Sequence, residues 1–371
     1  MKTIMVVYGT RPEAIKLAPL IVELRKLDNI RTVVVCSGQH KEMLAGILEL
    51  WSLTPDVTLE SNFKSSRSSA IPGLMLLLED EFLRIKPDLV LVQGDTATAA
   101  AAALQAHALH IPIGHIEAGL RSDDLWNPWP EESNRRLIDS TASLHFAPTR
   151  QSFNNLVREG YSKSSYLTGN TIVDALQFAT KLLDQDQSIR SSLENLINFS
   201  LDSPYILFTQ HRREGFGEGQ NNVFEAIAQL ANEGHKVIFP VHLNPAVQAK
   251  VTEKLDRNQN IMLIEPQNYL PFLQLIKNSR LIISDSGGLQ EEAPSFNKFI
   301  LITRLRTERP EVVEAGFGHL VGYDCKAITK AAFELLGKSP TNLENPFGDG
   351  QAAARICNIA SDFLEDSKVR I

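Results

Sequence analysis

The chain has 371 residues, of which 43% are hydrophobic and 22% are charged, and its formal net charge is −7. This composition is typical of a globular protein with two domains, and it argues against a general nucleic-acid-binding protein. No apolar run approaches the roughly 20 residues that a membrane helix needs, and the first residues run directly into a strand pattern without the features of a signal peptide. We therefore expect a cytoplasmic protein that contacts neither membrane nor nucleic acid.

The cysteine pattern and the short motifs exclude several classes of site. Cys36, Cys325 and Cys357 lie far apart and form no CxxC motif, so neither a disulfide framework nor a zinc site is indicated. The chain also lacks the EF-hand, HExxH, GxSxG and GxGxxG patterns. We expect no metal and no cofactor.

Strand and helix patterns alternate in the first half of the chain. Strands are predicted at residues 4–8, 32–36, 89–93, 112–115 and 144–147, and helices at 14–26, 41–51, 96–109 and 131–140. Continuous apolar runs such as Leu89-Val90-Leu91-Val92 are typical of parallel strands that helices cover on both faces. A parallel sheet is therefore predicted.

A second series follows, with strands predicted at residues 205–209, 236–240, 261–264, 281–284, 299–302 and 319–321 and helices at 223–232 and 269–278. The fold class is therefore α/β, with two Rossmann-like doubly wound domains at residues 1–168 and 169–350. A last helix is predicted at about residues 351–365. The segment of about residues 351–371, which contains it, is expected to pack back on the first domain. Ligands of open α/β sheets bind beyond the carboxyl ends of the strands, so the polar loops there are the candidate sites.

The loop after the first strand carries two cations. Arg11 and Lys16 lie at the start of a helix, where the helix dipole favours negative charge. Phosphate contact explains this placement better than a solvated basic surface does.

Three carboxylates follow strands or turns of the first domain. Asp95 comes after the third long apolar strand, Glu117 after the next strand, and Glu131 opens a helix after Pro130. Asp95 is also compatible with a plain helix cap, and Glu131 with a surface salt bridge to Arg135. If the three meet at one sheet edge, they can act as acids and bases.

In the second domain, polar loops again follow the strands. His211 and His242 end successive strands with arginines nearby, which favours an anionic ligand. Gln267 and Phe272 can hydrogen-bond and stack on a base, although a single phenylalanine is more often part of a core. Arg309 lies near another helix start.

The apolar run at residues 281–284 breaks at a serine–glycine turn and continues as a helix. Ser286, Gly287 and Gly288 can bind a phosphate through backbone N–H groups, and Glu292 can hold a ribose diol. An ordinary cap by Asp285 or Ser286 with a surface Glu292 fits the same residues.

Together these motifs resemble the non-hydrolysing UDP-N-acetylglucosamine 2-epimerases over nearly the whole chain. The segments that carry the resemblance are residues 9–16, 39–40, 94–96, 115–121, 130–136, 169–171, 211–214, 240–245, 285–292, 308–311 and 345–350. Arg11-Pro12-Glu13 favours this type over the hydrolysing relatives. The resemblance implies a glycosyltransferase-B-like domain pair facing a cleft, a homodimer, and interconversion of UDP-GlcNAc and UDP-ManNAc for surface polysaccharide synthesis.

The resemblance also implies residue roles. Asp95, Glu117 and Glu131 form the acid/base group, and His211 is counted with this catalytic set. Substrate contacts are implied for Arg11, Lys16, His242, Gln267, Phe272, Ser286, Gly287, Gly288, Glu292 and Arg309. The loop with Gln39 and His40 corresponds to an allosteric site for UDP-GlcNAc.

The chain departs from the family pattern at Gly215, at residues 304–307 and in the Ser-rich, basic segment 61–72. The first two changes leave room for a related UDP-2-acetamido sugar, and the third bears on regulation. Two other functions keep the 286–292 turn, namely a glycosyltransferase of the same fold and a catalytically idle nucleotide-sugar sensor. Neither explains three carboxylates that follow strands and a turn of the first domain.

Overall fold

A computed structural model describes residues 1–38, 41–60, 70–210, 218–241, 251, 254–255 and 258–366. The chain divides into two compact units: unit 1 contains residues 1–175 and 347–371, and unit 2 contains residues 176–346. Each unit contains one parallel sheet and the helices that follow its strands. The predicted α/β class with two Rossmann-like units is confirmed.

The sheet of unit 1 has the strand order β3-β2-β1-β4-β5-β6-β7, and all of its described pairings are parallel. Its strands are β1 (Lys2–Tyr8), β2 (Ile30–Cys36), β3 (Val57–Thr58), β4 (Leu89–Gln93), β5 (Ile113–Ile116), β6 (Leu144–Ala147) and β7 (Ser165–Leu167). The strand order reverses between β1 and β4, which opens a crevice at their carboxyl ends.

The helices of unit 1 connect these strands, and one helix comes from the far end of the chain. They are α1 (Arg11–Leu24), α2 (Lys41–Leu50), α3 (Ala70–Ile85), α4 (Ala97–Ala108), α5 (Glu131–Thr141), α6 (Arg150–Arg158) and α14 (Ala352–Glu365). Helix α14 packs against α1, and the Asp174 carboxylate accepts hydrogen bonds from Ala352 N (3.2 Å) and Ala353 N (2.9 Å) in its first turn.

Small side chains bring the elements around β1 and β4 close together. Residues 99–103 of α4 are all alanine and all fully buried, so this helix lies tightly against the sheet. Gly9 follows β1, and a Cβ there would lie 2.1 Å from Ser37 Oγ and 2.3 Å from Thr98 Oγ1. Only glycine therefore fits the turn that leads into α1.

Unit 2 repeats the doubly wound pattern with the order β10-β9-β8-β11-β12-β13. Its strands are β8 (Tyr205–Thr209), β9 (Lys236–Pro240), β10 (Ile261–Ile264), β11 (Leu281–Ser284), β12 (Ile300–Ile302) and β13 (Gly318–Leu320). The strand order reverses between β8 and β11, so the crevice of this unit lies beyond Thr209 and Ser284.

The helices from the unit boundary onward are α7 (Thr171–Gln185), α8 (Gln187–Ile197), α9 (Glu218–Asn232), α10 (Tyr269–Asn278), α11 (Gly287–Glu292), α12 (Pro310–Glu314) and α13 (Cys325–Leu336). A short 3-10 helix, Ala293–Phe296, continues from α11. Within the described ranges, no helix combines the length and the apolar character needed to cross a membrane.

Candidate active site

The first loop at the carboxyl edge of the unit 1 sheet is organised by Glu13. Its buried carboxylate accepts hydrogen bonds from Gly9 N (3.1 Å), from Thr10 N and Oγ1 (both 2.7 Å) and from Thr96 Oγ1 (2.7 Å). Burial raises the pKa of Glu13, against the hydrogen bonds from Thr96 and Thr10 that lower it. Glu13 thus links the loop after β1 to the loop after β4. Arg11, a cation at the first position of α1, is half-buried.

Lys16 and Glu117 form a buried ion pair at this edge. Lys16 Nζ donates to Glu117 Oε2, and Gln93 Nε2 donates to the same oxygen at 2.9 Å. Each charged residue is only 8% exposed, and Glu117 has a φ of +67°, in the left-handed region. The structure therefore places Lys16 on a carboxylate that follows β5, a contact that the sequence analysis did not predict.

Asp95 does not cap α4. Thr96 is the capping residue, because its Oγ1 accepts from Ala99 N at 3.0 Å. Asp95 Oδ2 instead accepts from Arg135 Nε (2.8 Å) and Nη2 (2.7 Å), and its carbonyl accepts from Asn134 Nδ2 at 2.8 Å. The capping interpretation was wrong, and Asp95 is held by the first turns of α5.

Glu131 and Glu132, the neighbours that open α5, have different surroundings. Glu132 is fully buried and accepts from Ser122 N (3.0 Å), Arg136 Nε (3.0 Å) and Arg135 Nη1 (3.3 Å). Among the described residues, Glu131 makes no ion pair, and its Oε2 is buried without a hydrogen-bond partner. The salt bridge considered for Glu131 and Arg135 is therefore wrong, whereas Glu132 has the structural role.

A buried charged cluster lies directly behind these loops. His115 Nδ1 lies 2.6 Å from Asp139 Oδ1, and its Nε2 lies 2.8 Å from Gly94 O. Asp139 Oδ2 accepts from Arg121 Nη2 (2.7 Å), and Arg121 also donates to both carboxylate oxygens of Glu159. Burial alone would raise the pKa of Asp139, but the charges and hydrogen bonds of His115 and Arg121 outweigh it and hold this pKa at about 2.

The depressed pKa of Asp139 makes a prediction for stability. A folded-state pKa below the unfolded value stabilises the protein above about pH 4, and this contribution, about 2 kcal/mol, is lost as the pH falls toward about 2. We expect Asp139→Asn to lower the free energy of unfolding at neutral pH, and the gap to the wild type to narrow in acid. Urea unfolding at neutral pH and at about pH 3 measures the gap, and a gap independent of pH would contradict the assignment.

The second candidate region is the turn after β11 in unit 2. Ser286 caps α11, with Oγ accepting from Leu289 N at 3.4 Å, so the capping interpretation of this turn is confirmed. A Cβ on Gly287 would lie 2.9 Å from Arg309 Nη1 and 3.1 Å from its Cζ. Glycine therefore lets the guanidinium lie against the turn, where Glu291 Oε1 accepts from Arg309 Nε at 2.5 Å. A cation and the N-terminal backbone of α11 thus share one surface.

The remaining described candidates of unit 2 lie at the same sheet edge or near it. Gln267 Nε2 donates to Glu265 O at 2.8 Å, just before α10, and Phe272 lies half-buried in the first turn of that helix. Gly288 follows Gly287 in α11, and Glu292 is the half-buried last residue of that helix. Gln39, His40, His211 and His242 lie outside the described residues.

Sequence reasoning missed two buried polar groups of unit 2. Gln210 follows β8 and is 4% exposed, yet neither polar atom of its side chain has a hydrogen-bond partner in the described part of the chain. Thr303 Oγ1, after β12, is also buried and has no hydrogen-bond partner among the described residues. Such groups are rare in folded proteins and often mark sites that a ligand or water completes. Among the described residues, no group of three or more His, Cys, Asp or Glu side chains could hold a metal ion.

Comparison with known proteins gives a consistent result. The family model for UDP-N-acetylglucosamine 2-epimerase matches residues 22–361. The Salmonella typhimurium UDP-N-acetylglucosamine 2-epimerase is 42% identical over 367 residues, which cover 95% of this chain and 96% of the relative. The crystal structure of the Neisseria meningitidis UDP-GlcNAc 2-epimerase bound to UDP-GlcNAc matches with a TM-score of 0.90 at 42% identity, covering 98% of this chain and 100% of that one. The Methanocaldococcus jannaschii enzyme in complex with UDP-GlcNAc and UDP matches with a TM-score of 0.85 at 38% identity, covering 98% and 100%.

The two doubly wound sheets define an α/β protein, and the family whose model matches it is one of isomerases. The chain belongs to the non-hydrolysing UDP-N-acetylglucosamine 2-epimerase family.

Proposed function

We propose that the protein interconverts UDP-GlcNAc and UDP-ManNAc by inverting the configuration at C2 of the sugar. The observation that carries this proposal is the set of carboxylates at the edge of the unit 1 sheet. Asp95 and Glu117 are each held by a cation, whereas Glu131 has a buried oxygen with no hydrogen-bond partner in the described structure. Carboxylates in such different surroundings are suited to separate acid and base roles.

The chemistry follows from the weak acidity of the C2 proton. A carboxylate removes this proton while the bond from C1 to the UDP oxygen breaks, and UDP takes the electron pair of that bond. The products are 2-acetamidoglucal and UDP. Return of a proton to the other face of C2, with attack of the UDP oxygen on C1, gives the epimer. No water is consumed, and no oxidant or reductant is needed.

We assign UDP to the carboxyl edge of the unit 2 sheet. The Arg309 guanidinium lies against Gly287, and cations together with helix-end N–H groups stabilise a departing diphosphate. Gln267 and Phe272 would contact the uracil, Ser286 and Gly288 the phosphates, and Glu292 the ribose. Arg11 keeps its proposed substrate contact, and His211 and His242 keep their proposed catalytic and substrate-binding roles. The ion pair with Glu117 gives Lys16 a second task besides phosphate contact.

Deuterium exchange tests the proposal directly. In D2O with UDP-GlcNAc as the sole substrate, we expect deuterium at C2, formation of UDP-ManNAc without an acceptor, and inhibition by added UDP. Nuclear magnetic resonance follows the deuterium at C2 and the formation of UDP-ManNAc, with and without added UDP. The absence of exchange and of epimer with every UDP-2-acetamido sugar tried would refute the proposal. Product formation only with an added acceptor would instead identify a glycosyltransferase.

Several finer points stay predictions. A related UDP-2-acetamido sugar is the alternative substrate, because residues 304–307 depart from the family pattern. A role in surface polysaccharide synthesis, a cytoplasmic location, and an allosteric loop with Gln39 and His40 rest on sequence alone. A homodimer is supported by Leu76 and Leu83 on α3, which are 68% and 54% exposed.

A further inference from the structure

His115 lies in the middle of the charged cluster behind the candidate active site. The side chain is fully buried, and each ring nitrogen faces a different oxygen. Nε2 faces the carbonyl of Gly94, which can only accept a hydrogen bond. Nδ1 faces Asp139, a carboxylate that also accepts from Arg121 and from Gly119 N (3.3 Å). Both ring nitrogens must therefore donate, which requires a proton on each.

The charges around His115 are consistent with this state. With two protons on its ring, His115 and Arg121 contribute positive charges beside the carboxylates of Asp139 and Glu159, and Arg136 Nη1 also lies 3.5 Å from Glu159 Oε1. A neutral ring would present a lone pair either to the Gly94 carbonyl or to the Asp139 carboxylate, in a place that water does not reach. Buried charges persist when they are paired and hydrogen-bonded, as these are.

His145 provides an internal comparison, because it is the residue directly opposite His115 on the next strand. Its Nε2 donates to the carbonyl of Asp139 at 2.8 Å, and its Nδ1 lies 3.1 Å from the hydroxyl of Ser164, whose one proton can go to Nδ1 or to the Tyr161 carbonyl at 3.2 Å. One donor and one acceptor satisfy a neutral ring, and burial lowers the pKa of His145. The two histidines thus differ in charge although they share Asp139.

The contacts of His115 and Asp139 reach the backbone next to two candidate catalytic residues. His115 Nε2 contacts the carbonyl of Gly94, which forms the peptide bond to Asp95. Asp139 also binds the backbone of Gly119, two residues after Glu117. The His115–Asp139 pair therefore joins the loops after β4 and β5 to helix α5, which itself holds the Asp95 side chain through Arg135.

We propose that His115 is a positioning residue, whose two ring protons hold the Gly94 carbonyl and the Asp139 carboxylate and thereby aim the Asp95 carboxylate at the substrate. This inference rests on the proposed acid/base role of Asp95. His115 touches no reacting atom, and its effect passes through the Gly94 peptide.

The charge is tested on the unmodified protein, with its histidines labelled with nitrogen-15 and assigned from the backbone. In the folded protein at neutral pH, both ring nitrogens of His115 should show the shifts of protonated nitrogen, because both face acceptor oxygens. His145 should show one protonated and one unprotonated nitrogen. An unprotonated signal from His115 would overturn the proposal, and this measurement does not depend on enzymatic activity.

The positioning role is tested by comparing His115→Gln with His145→Gln. We expect His115→Gln to lower kcat by about 10²-fold, because a small misplacement of a catalytic group has an effect of that size, with KM for UDP-GlcNAc little changed. His145→Gln should keep a kcat close to that of the wild type. Equal losses in both variants, or a loss confined to KM, would refute positioning.

If His115→Gln does not fold, Asp139→Asn replaces it. The His115 ring should then lose one proton and kcat should fall; a ring that keeps both protons, or an unchanged kcat, would contradict the proposal. If the wild type itself catalyses no exchange at C2, the proposed function fails. The nitrogen shifts then still decide whether His115 is charged.

Discussion

Replacing Glu131 with glutamine is expected to slow epimerisation by about 10² to 10⁴-fold while leaving UDP affinity and stability nearly unchanged. The carboxylate makes no ion pair among the described residues, and one of its oxygens is buried without a partner. Its loss therefore breaks no hydrogen bond or ion pair in the described part of the chain. Steady-state kinetics, calorimetry with UDP and thermal unfolding measure the three quantities.

Glu132→Gln is the matched control, because the neighbouring carboxylate differs in role but not in chemistry. Glu132 is fully buried and holds Ser122, Arg135 and Arg136. Removing its charge should cost about 1–3 kcal/mol of stability, with a smaller effect on turnover than Glu131→Gln has. Glu131→Gln should therefore lose mainly turnover, and Glu132→Gln should lose mainly stability. A large loss of turnover in Glu132→Gln alone would mean that Glu132 is the catalytic member of the pair.

Breaking the Lys16–Glu117 pair is expected to have the second large effect, on stability and turnover together. Lys16→Met removes the cation that donates to Glu117 Oε2, and Glu117→Gln removes the anion that Lys16 Nζ contacts. Each change should cost about 1–3 kcal/mol, because it removes one buried, charge-assisted hydrogen bond. Urea unfolding gives these free energies, and the exchange assay gives the turnover.

The double variant Lys16→Met/Glu117→Gln separates the two effects. With both charges removed, the loss of stability should be smaller than the sum of the two single losses, because the free-energy costs of contacting residues do not add. Turnover should stay low, since the proposed acid/base group is still missing. Additive losses of stability would show that the two side chains act independently, and recovery of turnover would remove Glu117 from the catalytic group.

The strands were the most predictable part of the fold. β4, β8 and β11 agree with the predicted bounds residue for residue, because parallel strands buried on both faces have continuous apolar sequences. The edge strands β3 and β7 were missed, since two or three residues at a sheet edge carry little pattern. The helices α3, α6 to α8 and α13 also received no prediction.

The candidate site was predictable only residue by residue. Asp95 and Glu117 were chosen as candidates because they follow strands, and Glu131 because it opens a helix after proline. Their partners were not found. Lys16 and Glu117 lie 101 positions apart, and Arg135 lies 40 positions from Asp95. His115 and Asp139 come from a strand and a helix, and no spacing rule joins such pairs until the sheet order is known.

Helix α14 determines when unit 1 can complete its packing during translation. Unit 1 contains both ends of the chain, and α14 is made only after the whole of unit 2 has been translated. Until then, the face of α1 that α14 covers and the carboxylate of Asp174 lack their final neighbours. During the synthesis of unit 2, the amino-terminal part of unit 1 therefore lacks helix α14, although the strands β1 to β7 of its sheet have already been translated.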